Sequence, residues 1–309
     1  KRLMNSFRSF SEIEEFVTGS GIRKTIALAG AHDSYALDSV IHARKKGLIE
    51  AILIGHAGEI RRLLEERGER EADYRLIDCQ GNAEASETAV RLVRSGEADM
   101  PMKGLLHTSD FMRPILNKET GLLPPGNLLS QVTLVEDQKE QKLFQITDCA
   151  INIAPNLEQK RKMIENAVGL AGCLGVRLPK VAVVSALEEV NPKIPSTVDA
   201  AELARDNREG RIRGCIVEGP LGFDNAVSRE AAKHKGIDSQ VAGQADIIVV
   251  PDLCSGNILT KSIIFFTNMP SCGTLLGTSV PVIAVSRTDT PENKYRGILV
   301  SLLCALTRG

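Results

Sequence analysis

The sequence predicts an α/β protein built around a mainly parallel sheet. Short runs rich in β-branched residues alternate with longer amphipathic stretches, which is the pattern of successive βα units. The short runs, such as 51–55 and 247–250, are apolar throughout, as expected for strands that are buried on both faces. The chain has 309 residues, and at roughly 150 residues per domain this length favours one large or two ordinary domains.

Composition places the chain among ordinary globular proteins and limits what it can bind. Hydrophobic residues make up 43% and charged residues 25%, which excludes a disordered, collagenous or coiled-coil chain. With no Trp, three Tyr and eight Phe, the chain is a poor stacking platform for single-stranded nucleic acid. A net charge of −1 gives no general attraction to polyanions, so any bound anion requires a local site.

Four predicted strands alternate with helices in the first part of the chain. The strands are 25–30, 51–55, 74–79 and 99–102, and the helices identified between them are 34–46 and 84–95. A cluster of Pro and Gly at 121–126 then interrupts the alternation. We therefore expect the first domain to end near residue 127.

A different pattern opens the middle of the chain. Runs 131–136 and 141–147 flank a polar turn and predict a β-hairpin, not a crossover. The βα alternation then resumes, with a helix at 156–174 and strands at 181–185, 215–217 and 247–250. The last predicted strand, 281–286, and the final helix could belong to either domain.

The first candidate site follows the fourth strand, because ligands of open parallel sheets bind beyond the carboxyl ends of the strands. Ser109 or Asp110 is the predicted N-cap of the next helix. This start would bring His107, Thr108 and Arg113 around a helix N-terminus, where N–H groups and the helix dipole favour an anion. The alternative is simple capping with a surface arginine.

A second candidate site follows the last predicted strand. Thr290 as N-cap and Pro291 in the first helical position predict a helix start. Ser286 and Arg287 stand a few residues earlier, at the strand end, and an arginine fork matches the geometry of phosphate. The alternative is a loop arginine paired with a neighbouring carboxylate.

The third candidate is the loop after strand 247–250. The spacing of Gly256 and Lys261 partly matches the P-loop motif, but the second glycine, which precedes the lysine in that motif, is missing. A complete dinucleotide fingerprint is missing as well, so nucleotide triphosphatases and classical NAD dehydrogenases are rejected. Gly256 and Asn257 would let the backbone approach a ligand closely, or they would simply close a turn before an apolar helix.

Cysteine and histidine usage predicts neither a metal site nor a catalytic thiol. The seven cysteines form no CxxC pair, which indicates a reducing compartment, and the five histidines stand far apart, so the sequence does not support a metal site. Cys254 and Cys272 lie near glycine-containing loops, but inert thiols are favoured where no base is evident. No GxSxG elbow, signal peptide or apolar run of the ~20 residues needed for a membrane span is found. We expect a soluble, cytoplasmic protein.

Five separate segments match one known family, in order along the chain. They are 103–121, 190–200, 219–224, 241–252 with 256–261, and 285–287. Together they resemble the phosphate acetyl/butyryltransferase family, from about residue 20 to the C-terminus. The sequences LNKETG and NPKIPSTVDA within them are more similar to the phosphate butyryltransferase branch than to the acetyl branch.

The resemblance implies two α/β/α domains with a cleft between them, in a fold similar to the isocitrate and isopropylmalate dehydrogenases. Residues 1–127 and 287–309 would form domain one, and residues 128–286 would form domain two with the dimer contact, for which the hairpin is the candidate. We therefore expect a homodimer or higher homo-oligomer, and neither nucleic acid nor a membrane as partner.

The implied reaction is reversible transfer of a short acyl group, butyryl or similar, between CoA and inorganic phosphate to give an acyl phosphate. CoA and phosphate are substrates here, and no permanently bound cofactor is implied. Direct transfer depends on holding the reactants together and on donors aimed at the developing oxyanion, so neither a metal nor a protein nucleophile is required.

Residue roles follow from positions in the matching motifs. Arg287 is expected to neutralise phosphate or the oxyanion, Ser286 to hydrogen-bond the reacting group, and Arg113 to bind phosphate oxygens. Acetyl-type members have an aspartate as the proposed base where this chain has Asn293, and Asp289 is the nearest substitute. The predicted substrate-binding residues are Lys103, Gly104, His107, Thr108, Gly256, Asn257 and Lys261.

Other functions stay open at this point. Within the family, the alternative is a phosphate acetyltransferase that uses acetyl-CoA. The departure at Asn293 is compatible with a non-catalytic acyl-CoA-binding relative. A metal-dependent decarboxylating dehydrogenase of similar fold would need clustered aspartates and a cofactor loop, which the sequence does not contain.

Overall fold

The computed structural model describes residues 6–307 and divides into two compact units. The terminal unit contains Phe10–Asn127 and the chain from Cys272 onward. The middle unit contains Leu128–Ser271 and the described residues before Phe10. The first predicted domain boundary, after residue 127, coincides with the division between these units. The second was predicted after residue 286, whereas the units divide after Ser271.

The terminal unit begins with the predicted alternation of strands and helices. Its strands are β1 (Lys24–Ala29), β2 (Ile49–Gly55), β3 (Arg75–Asp78) and β4 (Met100–Lys103). Helix α1 (Phe10–Gly19) precedes them, and α2 (Ser34–Lys45), α3 (Ala57–Glu66), α4 (Asn82–Arg94) and α5 (Thr108–Ile115) each follow a strand. The four predicted strands are confirmed, with ends within two residues of the expected ones.

These four strands form a parallel sheet in the order β3-β2-β1-β4. The chain therefore runs outward from β1 to β3 and then crosses to the other side of β1 to form β4. Beyond β4, a backbone bridge joins Met102 to Ile283. The reversal of direction places a topological switch point between β1 and β4, and open α/β sheets bind ligands at the carboxyl ends of strands at such points.

The middle unit opens with the β-hairpin that the sequence predicts. β5 (Ser130–Asp137) pairs antiparallel with β6 (Lys142–Thr147). In the turn, the backbone N–H groups of Lys139 and Glu140 each donate to the Asp137 carboxylate at 3.0 Å. This carboxylate satisfies two turn donors, which explains why a polar segment closes the hairpin tightly.

Parallel strands complete the middle unit. Helix α6 (Leu157–Cys173) is followed by β7 (Lys180–Val184), α7 (Pro195–Arg208), β8 (Ile216–Leu221), α8 (Phe223–Val227), α9 (Arg229–His234), β9 (Ile247–Val249) and α10 (Leu253–Phe266). The strands of this unit lie in the order β5-β6-β9-β7-β8. Ile146, Ala182 and Ile248 are fully buried in its core.

The region before the last helix differs from the prediction. Strand 281–286 is wrong, because only isolated bridges at Val282 and Ile283 are present. The neighbouring β4 offers only four residues for pairing, and Pro281 has no N–H to donate. A strand that the sequence did not predict, β10 (Ser271–Leu276), precedes these bridges.

Helix α11 (Pro291–Thr307) closes the terminal unit and packs against α1 and α2. The Tyr295 hydroxyl donates to the Glu14 carboxylate at 2.8 Å, and its ring meets the His42 ring edge to face.

The structure is mixed α/β, as predicted, whereas the dehydrogenase-like arrangement of two domains stays a prediction. Within residues 6–307, no helix is both long and apolar enough to cross a membrane.

Candidate active site

The candidate site lies at the carboxyl ends of β1 and β4, in the terminal unit. Segment 30–33 follows β1 and segment 104–107 follows β4. A turn at 286–289 follows the bridge to β4 and leads into α11. Sequence-predicted residues from two distant parts of the chain are thus brought to one edge of one sheet.

Gly104 lets the end of β4 approach the end of β1 closely. A Cβ at this position would lie 2.2 Å from the Gly30 carbonyl oxygen and 3.0 Å from that of Ala29. The Gly104 N–H donates to the Ala29 carbonyl at 2.8 Å, and the Leu105 N–H donates to the Gly30 carbonyl at 3.0 Å. Gly104 therefore has a structural role beside the predicted binding role, since it places its neighbour Lys103.

Lys103 is a buried cation with little hydrogen bonding. The residue is 4% exposed, and within residues 6–307 its ammonium makes one long hydrogen bond, 3.4 Å to the Gly104 carbonyl. Burial, followed by repulsion from Lys294 and Arg287, lowers the pKa of Lys103 to about 8, and Asp33 opposes this shift. Because an ammonium has three donors, Lys103 has capacity for a ligand that accepts hydrogen bonds.

Lys294, near the start of α11, is a second buried cation, which the sequence analysis missed. Its Nζ donates to the Ser286 carbonyl at 2.8 Å, and the same oxygen accepts the Asp289 N–H at 3.1 Å. Burial lowers the pKa of Lys294, while two nearby carboxylates oppose the shift. The sequence signal that could have identified Lys294 as buried is its position four residues before Ile298, on the apolar face of the helix. Lys294 fixes the turn at 286–289 to the helix.

Ser286 and Arg287 stand at the exposed tip of this turn. The Ser286 hydroxyl lies 3.1 Å from that of Thr288. The predicted helix start is confirmed, since α11 begins at Pro291 and the Thr290 hydroxyl accepts the Asn293 N–H at 3.1 Å. Among the described residues no carboxylate forms an ion pair with Arg287, so the alternative of a paired loop arginine is not what the structure shows.

Asp289, the predicted substitute base, is buried and already hydrogen-bonded. It is 8% exposed, and its carboxylate accepts from the Asn293 side-chain amide at 3.0 Å. The Asn293 oxygen in turn accepts from the Arg296 guanidinium at 2.6 Å. Asn293 is therefore part of a chain of hydrogen-bonded polar side chains that anchors the start of α11.

Helix α5 starts earlier than predicted. It begins at Thr108 with His107 as its N-cap, so the predicted caps at Ser109 and Asp110 are wrong. The start of α5 is decided by burial of its apolar face, which stabilises the helix by more than the roughly 1 kcal/mol that a polar N-cap residue contributes. Because the helix has only eight residues, Arg113 lies in its last turn and not around its N-terminus. The Arg113 side chain is exposed and lies 3.9 Å from the Asp110 carboxylate.

Two histidines that are distant in sequence lie together at the same sheet edge. His32 follows β1 and His56 follows β2, and their rings meet edge to face at 4.8 Å. Burial, and then the proximity of His56, lowers the pKa of His32. Within residues 6–307, no group of three or more His, Cys, Asp or Glu side chains could hold a metal ion.

The remaining predicted binding residues belong to α10 of the middle unit: Gly256, Asn257 and Lys261. The first two lie inside the helix, so the alternative that they close a turn before it is wrong. A Cβ at Gly256 would lie 2.3 Å from the Asp148 carbonyl oxygen, and the Asn257 amide donates to the Cys149 carbonyl at 3.2 Å. Both residues hold α10 against the chain that follows β6, whereas Lys261 is exposed.

None of the seven cysteines, all of which lie within residues 6–307, forms a disulfide, and six of them are buried. Burial raises the pKa of the Cys149 thiol to about 12 and that of the Cys215 thiol to about 11. Cys272, considered above as a nucleophile, is also buried with a raised pKa, whereas Cys254 is exposed. Protonated thiols are poor nucleophiles, so the prediction of inert thiols is supported for these three buried residues.

A cavity of about 530 Å³ lies in the middle unit, at the amino ends of β6, β7 and β9. The lysines that line it have polar partners of their own. Lys142 donates to the Ala245 carbonyl at 2.6 Å, and Lys180 donates to the Gln244 side chain at 2.7 Å. Parallel sheets bind ligands at the opposite ends of their strands, so this cavity is not part of the candidate site.

Comparison with known proteins gives consistent matches. Residues 61–301 match the family model described as phosphate acetyl/butaryl transferase. The phosphate butyryltransferase of Clostridium acetobutylicum is 41% identical over 298 residues, which are 96% of this chain and 98% of that protein. The phosphate acetyltransferase of Thermotoga maritima is 41% identical over 294 residues, 95% of this chain and 99% of that one.

A solved structure agrees with these sequence matches. The crystal structure of a branched-chain phosphotransacylase from Enterococcus faecalis V583 has a TM-score of 0.80 and 34% identity to this chain. The match covers 91% of this chain and 98% of that one. The butyryl and acetyl relatives are equally identical to this chain, so overall identity does not separate the acyl groups.

Proposed function

The chain belongs to the phosphate acetyl/butyryl transferase family, and from this premise we propose that Ser286 and Arg287 are the centre of its active site. The protein is an acyltransferase that exchanges an acyl group reversibly between CoA and inorganic phosphate. The proposed transferred group is butyryl or a similarly short acyl group, and acetyl is the alternative.

Arg287 has the surroundings of a group that stabilises negative charge. A phosphate oxygen attacks the acyl carbonyl of acyl-CoA, the C–S bond then breaks, and the thiolate leaves and takes up a proton. Charge develops on the carbonyl oxygen in the first step, where a fixed donor is most effective. Arg287 is exposed, has no carboxylate partner among the described residues, and lies close enough to affect Lys103. Ser286 would donate its hydroxyl hydrogen to the reacting group.

The other predicted residues take supporting roles. Arg113, exposed and only 3.9 Å from a single carboxylate, is proposed to reach phosphate oxygens from the end of α5. His107 and Thr108 at the start of α5 are proposed to line the same region. Gly256, Asn257 and Lys261 remain proposed substrate contacts from the middle unit, although packing explains the first two.

A base is required only in the direction that consumes CoA, where the thiol must lose its proton. Asp289 remains the proposed base for that direction. Its carboxylate is buried and bonded to Asn293, so the thiol would have to approach the inner side of the turn at 286–289. A free thiol has a pKa of about 8.5, and nearby cations favour the thiolate. A weak base is therefore sufficient to remove the proton.

The function is tested by measuring release of CoA from butyryl-, isobutyryl-, propionyl- and acetyl-CoA with and without phosphate. We expect release that depends on phosphate, at a higher kcat/KM for the four-carbon substrates. Arg287→Ala is expected to lower turnover at least a hundredfold, or about 3 kcal/mol. Arg70→Ala, at a 79% exposed side chain of the same unit, is the matched control and should retain activity.

Three outcomes would contradict the proposal. No phosphate dependence with any of the four substrates would remove the transferase function, and calorimetric CoA binding without turnover would favour a non-catalytic relative. Near-normal turnover in Arg287→Ala would remove Arg287 from the chemistry.

We also propose a homodimer in which α10 of one copy packs against α10 of a second copy. Only Gly256 and Thr260 of this helix are buried, whereas Ile258, Phe265 and Phe266 are 66%, 65% and 87% exposed. Large apolar side chains clustered in this way are typical of an interaction site, and a two-fold axis buries identical surfaces. The hairpin is less suited, since most of β5 is already buried in the single chain.

Light scattering tests the dimer. The wild type should have twice the mass of the chain, Phe265→Glu should be a monomer, and Leu178→Glu, at an exposed apolar residue outside α10, should remain a dimer. A monomeric wild type, or a dimeric Phe265→Glu variant, would contradict the proposal. We also propose a reducing compartment such as the cytoplasm as the place of action, since the cysteines within residues 6–307 form no disulfide.

A further inference from the structure

The candidate site gathers positive charge that is not neutralised by direct ion pairs. Lys103 and Lys294 are both buried, at 4% and 1% exposure, and Arg287 is their neighbour. Within residues 6–307, none of these three cations has a carboxylate within ion-pairing distance. Burying a charge without a partner costs several kcal/mol, so the arrangement is suited to a state in which an anion is bound.

The carboxylates nearby are occupied by other donors. Asp33 caps α2, since its carboxylate accepts the N–H groups of Tyr35 and Ala36 at 3.0 and 3.1 Å. Asp289 accepts from Asn293. These two acids act on the lysines only at a distance, and the ammonium of Lys103 keeps donors for another acceptor.

We propose that Lys103 and Arg287, with Lys294 holding the turn that carries Arg287, form the site of the transferred phosphate dianion, and that binding of the dianion is coupled to uptake of a proton by Lys103. The identity of the ligand rests on the proposed function, whereas the coupling rests on the burial and contacts of Lys103. The sequence analysis identified neither Lys294 nor the coupling.

The direction of the coupling follows from the charges around Lys103. In the free protein, the pKa of Lys103 is lowered to about 8 by burial and by two cations. A bound dianion favours the charged ammonium and raises this pKa. Below pH 8, Lys103 is already protonated, and affinity is independent of pH. Above pH 8, binding must be accompanied by protonation, so affinity falls as the pH rises.

The charged groups that act on Lys103 are Lys294, Arg287 and Asp33, and Asp289 acts on Lys294. His32, at the same edge of the sheet, has a pKa lowered from that of an ordinary imidazole, so its change of charge lies below the range in which Lys103 titrates. Lys294 is a second buried ammonium with a lowered pKa, and it donates to the Ser286 carbonyl at 2.8 Å. Substitution at Lys103 alone therefore separates its contribution to the coupling from that of Lys294.

Inorganic sulfate is the suitable probe, because it remains a dianion over the whole range whereas phosphate changes its own charge near neutral pH. We measure its affinity by calorimetry and by competition with phosphate, from pH 6.5 to 9.5. For the wild type, affinity should fall roughly tenfold or more between pH 7.5 and 9.5, from linkage to a group with a pKa of about 8. Repeating the titration at pH 9 in two buffers of different ionisation enthalpy should show proton uptake.

Two variants at Lys103 and one control separate the coupling from general effects. Lys103→Arg, which stays charged, should bind sulfate with little dependence on pH above 7.5. Lys103→Met, which fills similar space without charge, should bind weakly at every pH and without proton uptake. Lys142→Arg, at a lysine of the middle unit with a lowered pKa, should retain the wild-type slope.

A wild-type affinity that is constant up to pH 9.5, or an undiminished slope in both Lys103 variants, would overturn the inference. Because sulfate binding needs no turnover, this failure is distinct from failure of the proposed function. Phosphate-dependent CoA release with flat sulfate binding would refute the coupling alone, and proton-linked binding without CoA release would refute the function alone.

Discussion

The substitution Gly104→Ala is predicted to disturb the structure and the activity together. The added Cβ would lie 2.2 Å from the Gly30 carbonyl oxygen, and real Cβ contacts are essentially never shorter than 3.0 Å. The backbone must therefore move by at least 0.8 Å. The atom in the way belongs to the backbone at the end of β1, so no flexible side chain can absorb the movement.

The magnitude follows from what the movement breaks. Two hydrogen bonds join the end of β4 to β1, from Gly104 N–H and from Leu105 N–H, and each contributes about 1 kcal/mol. Overpacking of a tight site costs about 1 to 3 kcal/mol. Since the shift relieves part of the overpacking, we expect a loss of about 3 kcal/mol in the free energy of unfolding. A displacement near 1 Å can also lower turnover about a hundredfold, because Lys103 is the adjacent residue.

The assay is denaturant unfolding combined with phosphate-dependent CoA release at saturating substrate. Gly58→Ala is the matched control, because it lies in α3 of the same unit with open space around its Cβ position. It should change stability by no more than about 1 kcal/mol, in the stabilising direction, and leave turnover unchanged. If Gly104→Ala is as stable and as active as Gly58→Ala, the argument for a close approach of β1 and β4 is wrong.

Three further outcomes are expected. Thr290→Ala should lower the free energy of unfolding by about 1 kcal/mol through loss of the N-cap of α11, with Thr290→Ser close to the wild type; equal loss in both would contradict the capping role. Asn293→Asp replaces the amide that donates to Asp289 by a second carboxylate, and repulsion between two ionised carboxylates destabilises the fold, so the loss of thermal stability should be largest near pH 8 and shrink towards pH 5. Burial acts to raise the pKa of Asp206, but hydrogen bonds from two arginines lower it overall; Asp206→Asn should therefore be less stable than the wild type at pH 7, with a deficit that shrinks as the pH falls below about 4. A deficit that is independent of pH would refute either of the last two predictions.

Features encoded by neighbouring residues were predictable from the sequence. The first four strands, the hairpin and the start of α11 depend on apolar runs, a polar turn and a Thr-Pro pair, and all are confirmed. The position of Arg287 at the tip of a turn before a helix follows from the same local pattern. Local chemistry was therefore sufficient wherever one segment determines its own structure.

Features that depend on distant residues were not predictable in this way. Residues 281–286 have strand propensity, but they pair only through single bridges, Ile283 with Met102 of β4 and Val282 with Leu275 of β10, so no continuous strand forms. The start of α5 is decided by burial of its apolar face and not by its polar residues. Lys294 looks like an ordinary helical lysine until the Ser286 carbonyl and the buried side of α11 are seen together.

The bridge between Met102 and Ile283 has a consequence for the order in which the molecule forms during synthesis. The two residues are close in the fold but are separated in the chain by the whole middle unit. Long loops must close before such a contact contributes, and domains generally fold as they leave the ribosome. A nascent chain that ends before residue 286 has Lys103 but neither Arg287 nor Lys294. The three cations of the proposed phosphate site are therefore brought together late, after the whole middle unit has been synthesised.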